Sequence, residues 1–168
     1  MGKIKMSKVT VVILTKNEEK NIVAVVQNAK KVAVEVLIVD SGSTDKTVQL
    51  AEENGARVVY RAWDNDFAAQ RNFALQNINT EWVLYLDADE RLNEELIFNI
   101  AKAVNTNQKA MYRLVRRNSA FGRDFKYGVL GPDSVVRLFP TEGVKWESKV
   151  HERPVGDFAE KTLGGYIK

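Results

Sequence analysis

The sequence predicts an α/β fold, a Rossmann-like and mostly parallel sheet flanked by helices, followed by a smaller mixed C-terminal portion. Three observations predict it. Short apolar runs alternate four times with segments of helical periodicity as far as Asn105. Those runs are rich in β-branched residues and almost free of polar ones, as strands covered on both faces must be. Runs one, two and four end in polar or acidic residues, which lines their ends along one edge of the sheet, where open α/β sheets bind ligands.

Residues 9–14 are the first strand, ending in the glycine-free loop Thr15-Lys16-Asn17-Glu18-Glu19. A helix over 21–29 follows, with Ile22, Val25, Val26 and Ala29 at helical spacing. Residues 34–39 are the second strand, running into Asp40-Ser41-Gly42-Ser43-Thr44-Asp45, a turn rich in helix-capping residues. The next helix carries Val48 and Ala51 and stops near Gly55. After a third strand at 57–60, residues 66–75 form a helix with Phe67, Gln70, Arg71 and Ala74 close on one face. The fourth strand, 82–86, ends abruptly in Asp87-Ala88-Asp89-Glu90. Asn93 caps a helix with Glu94 and Glu95 in its first turn, where the helix dipole favours acids. Its apolar stripe is Leu92, Leu96, Ile97, Ile100 and Val104.

Beyond this core the pattern changes. Residues 111–117 and 134–139 alternate like half-buried strands, and 121–132 is a glycine- and aromatic-rich loop or hairpin. The organisation is an N-terminal tail (1–8), an α/β core (9–110) and further strands and loops of the same domain (111–168). The chain ends at Gly164-Gly165-Tyr166-Ile167-Lys168 without an obvious closing element, and a longer natural chain is expected.

Composition narrows the chemistry. Hydrophobic residues make up 45% and charged residues 28% of the 168, a soluble globular balance. The net charge of +3 is too weak to argue for nucleic acid, and suits an anionic ligand or loose contact with an anionic membrane surface. With no cysteine, disulfides, thiolate metal sites and cysteine nucleophiles are excluded. No apolar run reaches the ~20 residues of a membrane span, and the basic N-terminus lacks a signal peptide's apolar region, so a cytoplasmic protein is expected.

The acidic cluster carries the chemistry. Side chains alternate along an extended chain, so Asp87 and Asp89 are expected to point the same way. Converging carboxylates repel unless a cation lies between them, and hard oxygen ligands suit Mg²⁺ or Mn²⁺ with substrate phosphates completing the shell. A solvated acidic loop is the bland alternative.

Taken together, Val11-Val12-Ile13-Leu14-Thr15-Lys16-Asn17-Glu18, Ile38-Val39-Asp40-Ser41-Gly42-Ser43-Thr44-Asp45, Ala69-Gln70-Arg71-Asn72 and Leu84-Tyr85-Leu86-Asp87-Ala88-Asp89-Glu90 resemble the family 2 glycosyltransferases with the A-type nucleotide-sugar fold. Val136-Arg137-Leu138-Phe139 and Val150-His151-Glu152 look like the bacterial subgroup that adds glucose to the lipopolysaccharide inner core. The resemblance implies an inverting, metal-dependent transferase that moves a hexose from a UDP-sugar to a saccharide or glycolipid at the cytoplasmic face of the inner membrane. It implies that Thr15, with Asn17, Glu18 and Ser41 nearby, meets the nucleoside, and that Asp40 meets the uracil. Arg71 would lie beside the nucleotide, Asp87 would touch the ribose or the metal, and Asp89 would bind Mg²⁺ or Mn²⁺ directly. The family's usual Glu-Asp base pair is not evident; Glu152 stands in its place in the order of motifs, with His151 at the metal or the leaving diphosphate and Asp133 as the fallback base. Arg113, Arg116, Arg117, Arg123 and Lys126 are either a solvated strand face or a surface for an anionic acceptor, and Trp63, Trp82 and Trp146 read as core, Trp146 being the best stacking candidate. A sugar-1-phosphate nucleotidyltransferase, a receiver module and a nucleotide-binding fragment without turnover are the rivals. The first needs a glycine-rich loop after strand one, and the second an acidic pair there; neither is present.

Overall fold

The computed structural model describes residues 8–106, 108–120, 123–124 and 131–168. Four strand–helix units come first: β1 (Val9–Thr15), α1 (Ile22–Ala29), β2 (Glu35–Asp40), α2 (Thr47–Glu53), β3 (Arg57–Tyr60), α3 (Phe67–Gln76), β4 (Trp82–Tyr85) and α4 (Glu94–Val104). Strands β5 (Met111–Arg116), β6 (Ser119–Ala120), β7 (Arg123–Asp124), β8 (Asp133–Pro140), β9 (Val144–Glu147), β10 (Arg153–Gly156) and β11 (Glu160–Thr162) follow.

Seven strands make one sheet in the order β11-β5-β8-β4-β1-β2-β3. The strands from β4 to β3 run parallel, as the alternation predicts. Strand β8 inserts antiparallel between β4 and β5, so the later strands extend the same sheet. Strands β9 and β10 form an antiparallel hairpin, and β6 pairs antiparallel with β7. Most of the expected loop at 121–132 lies outside the described residues.

Period-two alternation divides the core between the two faces of the sheet. Val9, Val11 and Ile13 of β1 pack with Ile22, Val25 and Val26 of α1, Ala51 of α2 and Leu96 and Ile100 of α4. Val12 of the same strand packs on the other face with Ala68 and Ala74 of α3, Tyr85, Phe139 and Trp146. Trp82 and Trp146 are core, as expected, but Trp63 is 41% exposed, and Phe67, placed on the helix face, is 45% exposed. The two rings meet edge to face at 4.5 Å.

The last residues tie down the segment after the acidic cluster. Arg91 and Lys168 exchange backbone hydrogen bonds, the Ile167 N–H donates to the Val115 carbonyl, and the Tyr166 N–H donates to Asn93 Oδ1 at 2.9 Å. Asn93 Oδ1 also caps α4 by accepting from the Leu96 N–H at 3.0 Å. Among the described residues no helix is long and apolar enough to cross a membrane.

Candidate active site

Parallel pairing in register sets Thr15 beside Asp40 at the C-terminal ends of β1 and β2. The Thr15 hydroxyl donates to Asp40 Oδ2 at 2.8 Å. Asp40 also accepts from the Gly42 and Ser43 N–H groups, both at 2.8 Å, and from the Ser43 hydroxyl at 2.5 Å. Burial alone would raise its pKa, but these donors together hold it below the ordinary carboxylate value. Asp40 therefore spends both oxygens on its own loop and on Thr15 of the neighbouring strand. The loop above it is stitched to the one after β1. Asn17, with a left-handed φ of 55°, accepts the Thr44 N–H and donates its own N–H to the Ser43 hydroxyl. The Glu18 N–H donates to the Thr47 hydroxyl at 2.7 Å. Thr15, Lys16, Glu18 and Ser41, with Leu14, Gln70, Trp63 and Phe67, enclose a largely apolar cavity of about 420 Å³.

A second cavity of about 540 Å³ adjoins it, sharing Leu14, Glu18 and Phe67. Arg71, Asp87, Asp89, Arg116, Arg137 and Glu152 line its polar side. Here the extended-chain expectation for the acidic cluster fails. Strand β4 ends at Tyr85, and residues 87–90 make a turn in which the Glu90 N–H donates to the Asp87 carbonyl and Glu90 Oε2 accepts the Asp87 N–H. The turn breaks the alternation, so Asp87 turns toward arginines and Asp89 stays exposed, although both still line the cavity.

Arg137 holds Asp87 with both terminal nitrogens, at 3.4 and 3.1 Å, and approaches Glu90 at 3.6 Å. The Arg137 guanidinium, then Arg71 and Arg116, outweigh the cost of burial and pull the Asp87 pKa below the ordinary value. Glu90 is pushed the other way, mainly by burial, with the Asp87 charge adding to it. Arg71 is buried on α3, its guanidinium 4.6 Å from the Trp146 ring. Its Nη2 donates to Glu152 Oε1 at 3.3 Å and lies 4.0 Å from Asp87. Among the described residues Arg71 Nε has no hydrogen-bond partner. Burial and the neighbouring Arg137 lower the Arg71 pKa, against the pull of Asp87 and Glu152.

Arg71, Asp87, Asp89 and Glu152 are thus brought together, and Thr15, Glu18 and Ser41 wall the adjoining cavity. His151 is not part of this group. It sits exposed at a left-handed turn residue, φ 55°, and lines a neighbouring cavity together with Arg71, Trp146, Glu152 and Arg153, without Asp87 or Asp89. Among the described residues no three His, Asp or Glu side chains gather as a metal-holding group. Asp133, the fallback base, is exposed and paired in fork geometry with Arg116. Its pKa is lowered by that hydrogen bond.

Sequence reading missed Arg137, Glu90, Trp63 and Phe67 as wall or site residues. Arg137 left a signal: a charge inside the apolar run 135–139 must be paired if the strand is buried. Trp63 and Phe67 left none, because an aromatic beside a helix reads equally well as core.

A sequence profile described as Glycosyl transferase family 2 matches residues 10–153. An uncharacterized glycosyltransferase of Rickettsia bellii is 42% identical over 96 residues, covering 57% of this chain and 32% of that protein. The glycosyltransferase SunS of Bacillus subtilis is 30% identical over 150 residues, 88% of this chain and 35% of that protein. The chain therefore spans about a third of the length of the curated relatives it matches. Among solved structures, S. aureus TarS 1-349 in complex with UDP-GlcNAc superposes with a TM-score of 0.61 at 19% identity, covering 92% of this chain and 58% of that one. The architecture is the mostly parallel, helix-flanked sheet of the A-type glycosyltransferases.

Proposed function

The chain belongs to glycosyl transferase family 2, and from that membership we propose that it binds a UDP-sugar and passes the sugar to a hydroxyl of a saccharide or glycolipid. One observation carries the reading: the largely apolar cavity by the ends of β1 and β2 adjoins, across Leu14, Glu18 and Phe67, the cavity lined by Asp87, Asp89, Arg71 and Glu152. A nucleoside fits the first and a diphosphate with its sugar the second. UDP is favoured because TarS, of the same fold, is seen with UDP-GlcNAc.

In this reading Thr15, Asn17, Glu18 and Ser41 frame the nucleoside, and Asp40 holds their loops in place beneath the base. Arg71 and Arg137 turn guanidinium donors toward the charge that develops on the departing diphosphate. The exposed Asp89, with Asp87 behind it, suits Mg²⁺ or Mn²⁺, which bind through one or two carboxylates plus substrate phosphates. When bound, the cation supplies positive charge to the diphosphate. Glu152 is the base. The acceptor oxygen forms its bond to the anomeric carbon, the sugar–phosphate bond breaks with its electron pair leaving on UDP, and the acceptor proton passes to Glu152. Asp133 does not line the cavity that Asp87, Asp89 and Glu152 share, which disfavours it for that role. The finer assignment, glucose added to lipopolysaccharide inner core, rests on the resemblance of residues 136–139 and 150–152. A cytoplasmic site in loose contact with the inner membrane is supported by the absence of cysteine and the net charge of +3.

Thermal unfolding with UDP, GDP, CDP and ADP, each with and without Mn²⁺, tests the donor site. A ligand at 100 times its dissociation constant adds about 2.7 kcal/mol, which raises the midpoint of a domain this size by roughly 5–10 °C. UDP with Mn²⁺ is expected to give that shift and Asp89→Ala to lose it. Glu152→Gln should keep the shift and lose transfer. If no nucleotide stabilises the chain, the donor reading is wrong.

A further inference from the structure

We propose that the arginine-walled cavity on the far side of Glu152 binds an anionic group, a phosphate or a carboxylate, carried by the sugar acceptor. The word acceptor rests on the transferase reading above; the anion site itself rests on the cavity.

The cavity measures about 490 Å³ and is bounded by β5, β8 and the β9–β10 hairpin. Its walls carry five guanidiniums, those of Arg71, Arg113, Arg116, Arg137 and Arg153, against two carboxylates, Glu152 and Glu160. Asp87, Glu90 and Asp133, which pair with Arg116 and Arg137, do not line it. Those carboxylates offset the charge of the two arginines but do not face the cavity, so its lining offers five guanidiniums as donors against two carboxylates. Arg113 pairs with Glu160 at 2.9 Å across the strand edge, where both side chains are solvated and the pair is weak. Arg153, exposed, makes no ion pair among the described residues. Guanidinium forks match phosphate and carboxylate oxygens two at a time, so such a wall selects an anion over a neutral hydroxyl. Val136, Trp146 and Pro154 give the same cavity an apolar side on which a sugar ring can rest.

Position links the cavity to the chemistry. Arg71, Arg116, Arg137 and Glu152 line both this cavity and the one assigned to the donor. A molecule anchored by its anion here has Glu152 beside it and the donor sugar on the other side of Glu152. The sequence offers Arg113 and Arg116 of β5 as a surface for an anionic acceptor; the fold adds Arg137 from β8 and Arg153 from β10.

Calorimetric titration of the full chain with glucose 6-phosphate, glucuronate and glucose tests the site, with UDP titrated in parallel. One or both anionic sugars should bind where glucose does not, and the stronger of the two tells phosphate from carboxylate. The double variant R113Q/R153Q should weaken that binding about tenfold or more, as expected for losing charge-assisted hydrogen bonds, and leave UDP affinity unchanged. K145Q removes one positive charge from an exposed side chain outside the cavity and should change neither. R153Q alone supplies the answer if the double variant does not fold. The proposal is overturned if neither anionic sugar binds better than glucose, or if both bind the arginine variants as tightly as the unaltered chain. Failure of UDP to bind while the anionic sugars do would instead remove the donor reading and leave the anion site standing.

Discussion

Asp40 is 3% exposed, and a carboxylate so placed survives as an anion only because four donors converge on its two oxygens. Because its folded pKa is depressed, its contribution to stability is full above the ordinary value of 3.8 and is lost as pH falls through the folded pKa. Asp40→Asn keeps one acceptor oxygen but turns an NH₂ toward backbone and hydroxyl donors. The expected cost is about 2–4 kcal/mol at pH 7, from hydrogen bonds to a charged group and donors left unpaired. That gap should shrink as pH falls below 3.8, where the unfolded chain takes up the proton, and should close through the lowered folded pKa, where the native carboxyl does too. Urea unfolding of both proteins at pH 7 and at pH 3 checks it, and a gap independent of pH would refute the charged loop anchor. Legibility also divides at this scale. The polar ends of the strands were readable, since an unpaired charge cannot sit inside a two-faced sheet. What Asp40 does there was not: whether it faces a ligand or its own loop depends on donors at Gly42 and Ser43 that only the folded turn presents.

At the scale of elements, β1, β2, β4 and the four helices were legible because periodicity and composition agree in each. The antiparallel entry of β8 between β4 and β5 was not, because alternation fixes which residues share a face and leaves the neighbouring strand open. The acidic turn departs from the sequence expectation for a related reason: the expectation carries the strand period four residues past the end of β4, to Asp89. What holds that turn's far side is the C-terminal segment, and Gly165 is its critical point. Its φ is +92°, and a Cβ there would lie 2.4 Å from the Leu96 backbone nitrogen at the start of α4. Gly165→Ala combines a left-handed backbone penalty of about 1–2 kcal/mol with overpacking of about 1–3 kcal/mol. The expected loss is roughly 2–4 kcal/mol in urea unfolding with an unchanged denaturant slope. A loss under about 0.5 kcal/mol, the scale of neutral surface changes, would mean that the segment can lift away without consequence.

Over the whole molecule, one set of arginines stands between two cavities. Arg71, Arg116 and Arg137 come from α3, β5 and β8 and converge because the sheet order sets β8 between β5 and β4. If a diphosphate occupies one cavity and an anionic sugar the other, both draw on the same positive charge. Each bound anion should then weaken the other, and linkage requires the factor to be the same in both directions. In low salt with chelator present, saturating UDP is expected to raise the dissociation constant of glucose 6-phosphate about fivefold or more, within the usual range of coupling between sites. Glucose 6-phosphate should act on UDP by an equal factor. Raising the ionic strength screens such an effect at the exposed rim more than at buried Arg71 and Arg137, so the coupling should fall without vanishing. Adding Mn²⁺ places positive charge beside Asp89, offsets the diphosphate, and should bring the two ligands toward independence. Titrating each ligand against the other under these three conditions decides the matter. Independent binding in low salt without a divalent cation would show that the shared arginines are fully spent on Asp87, Glu90 and Glu152, and serve neither ligand.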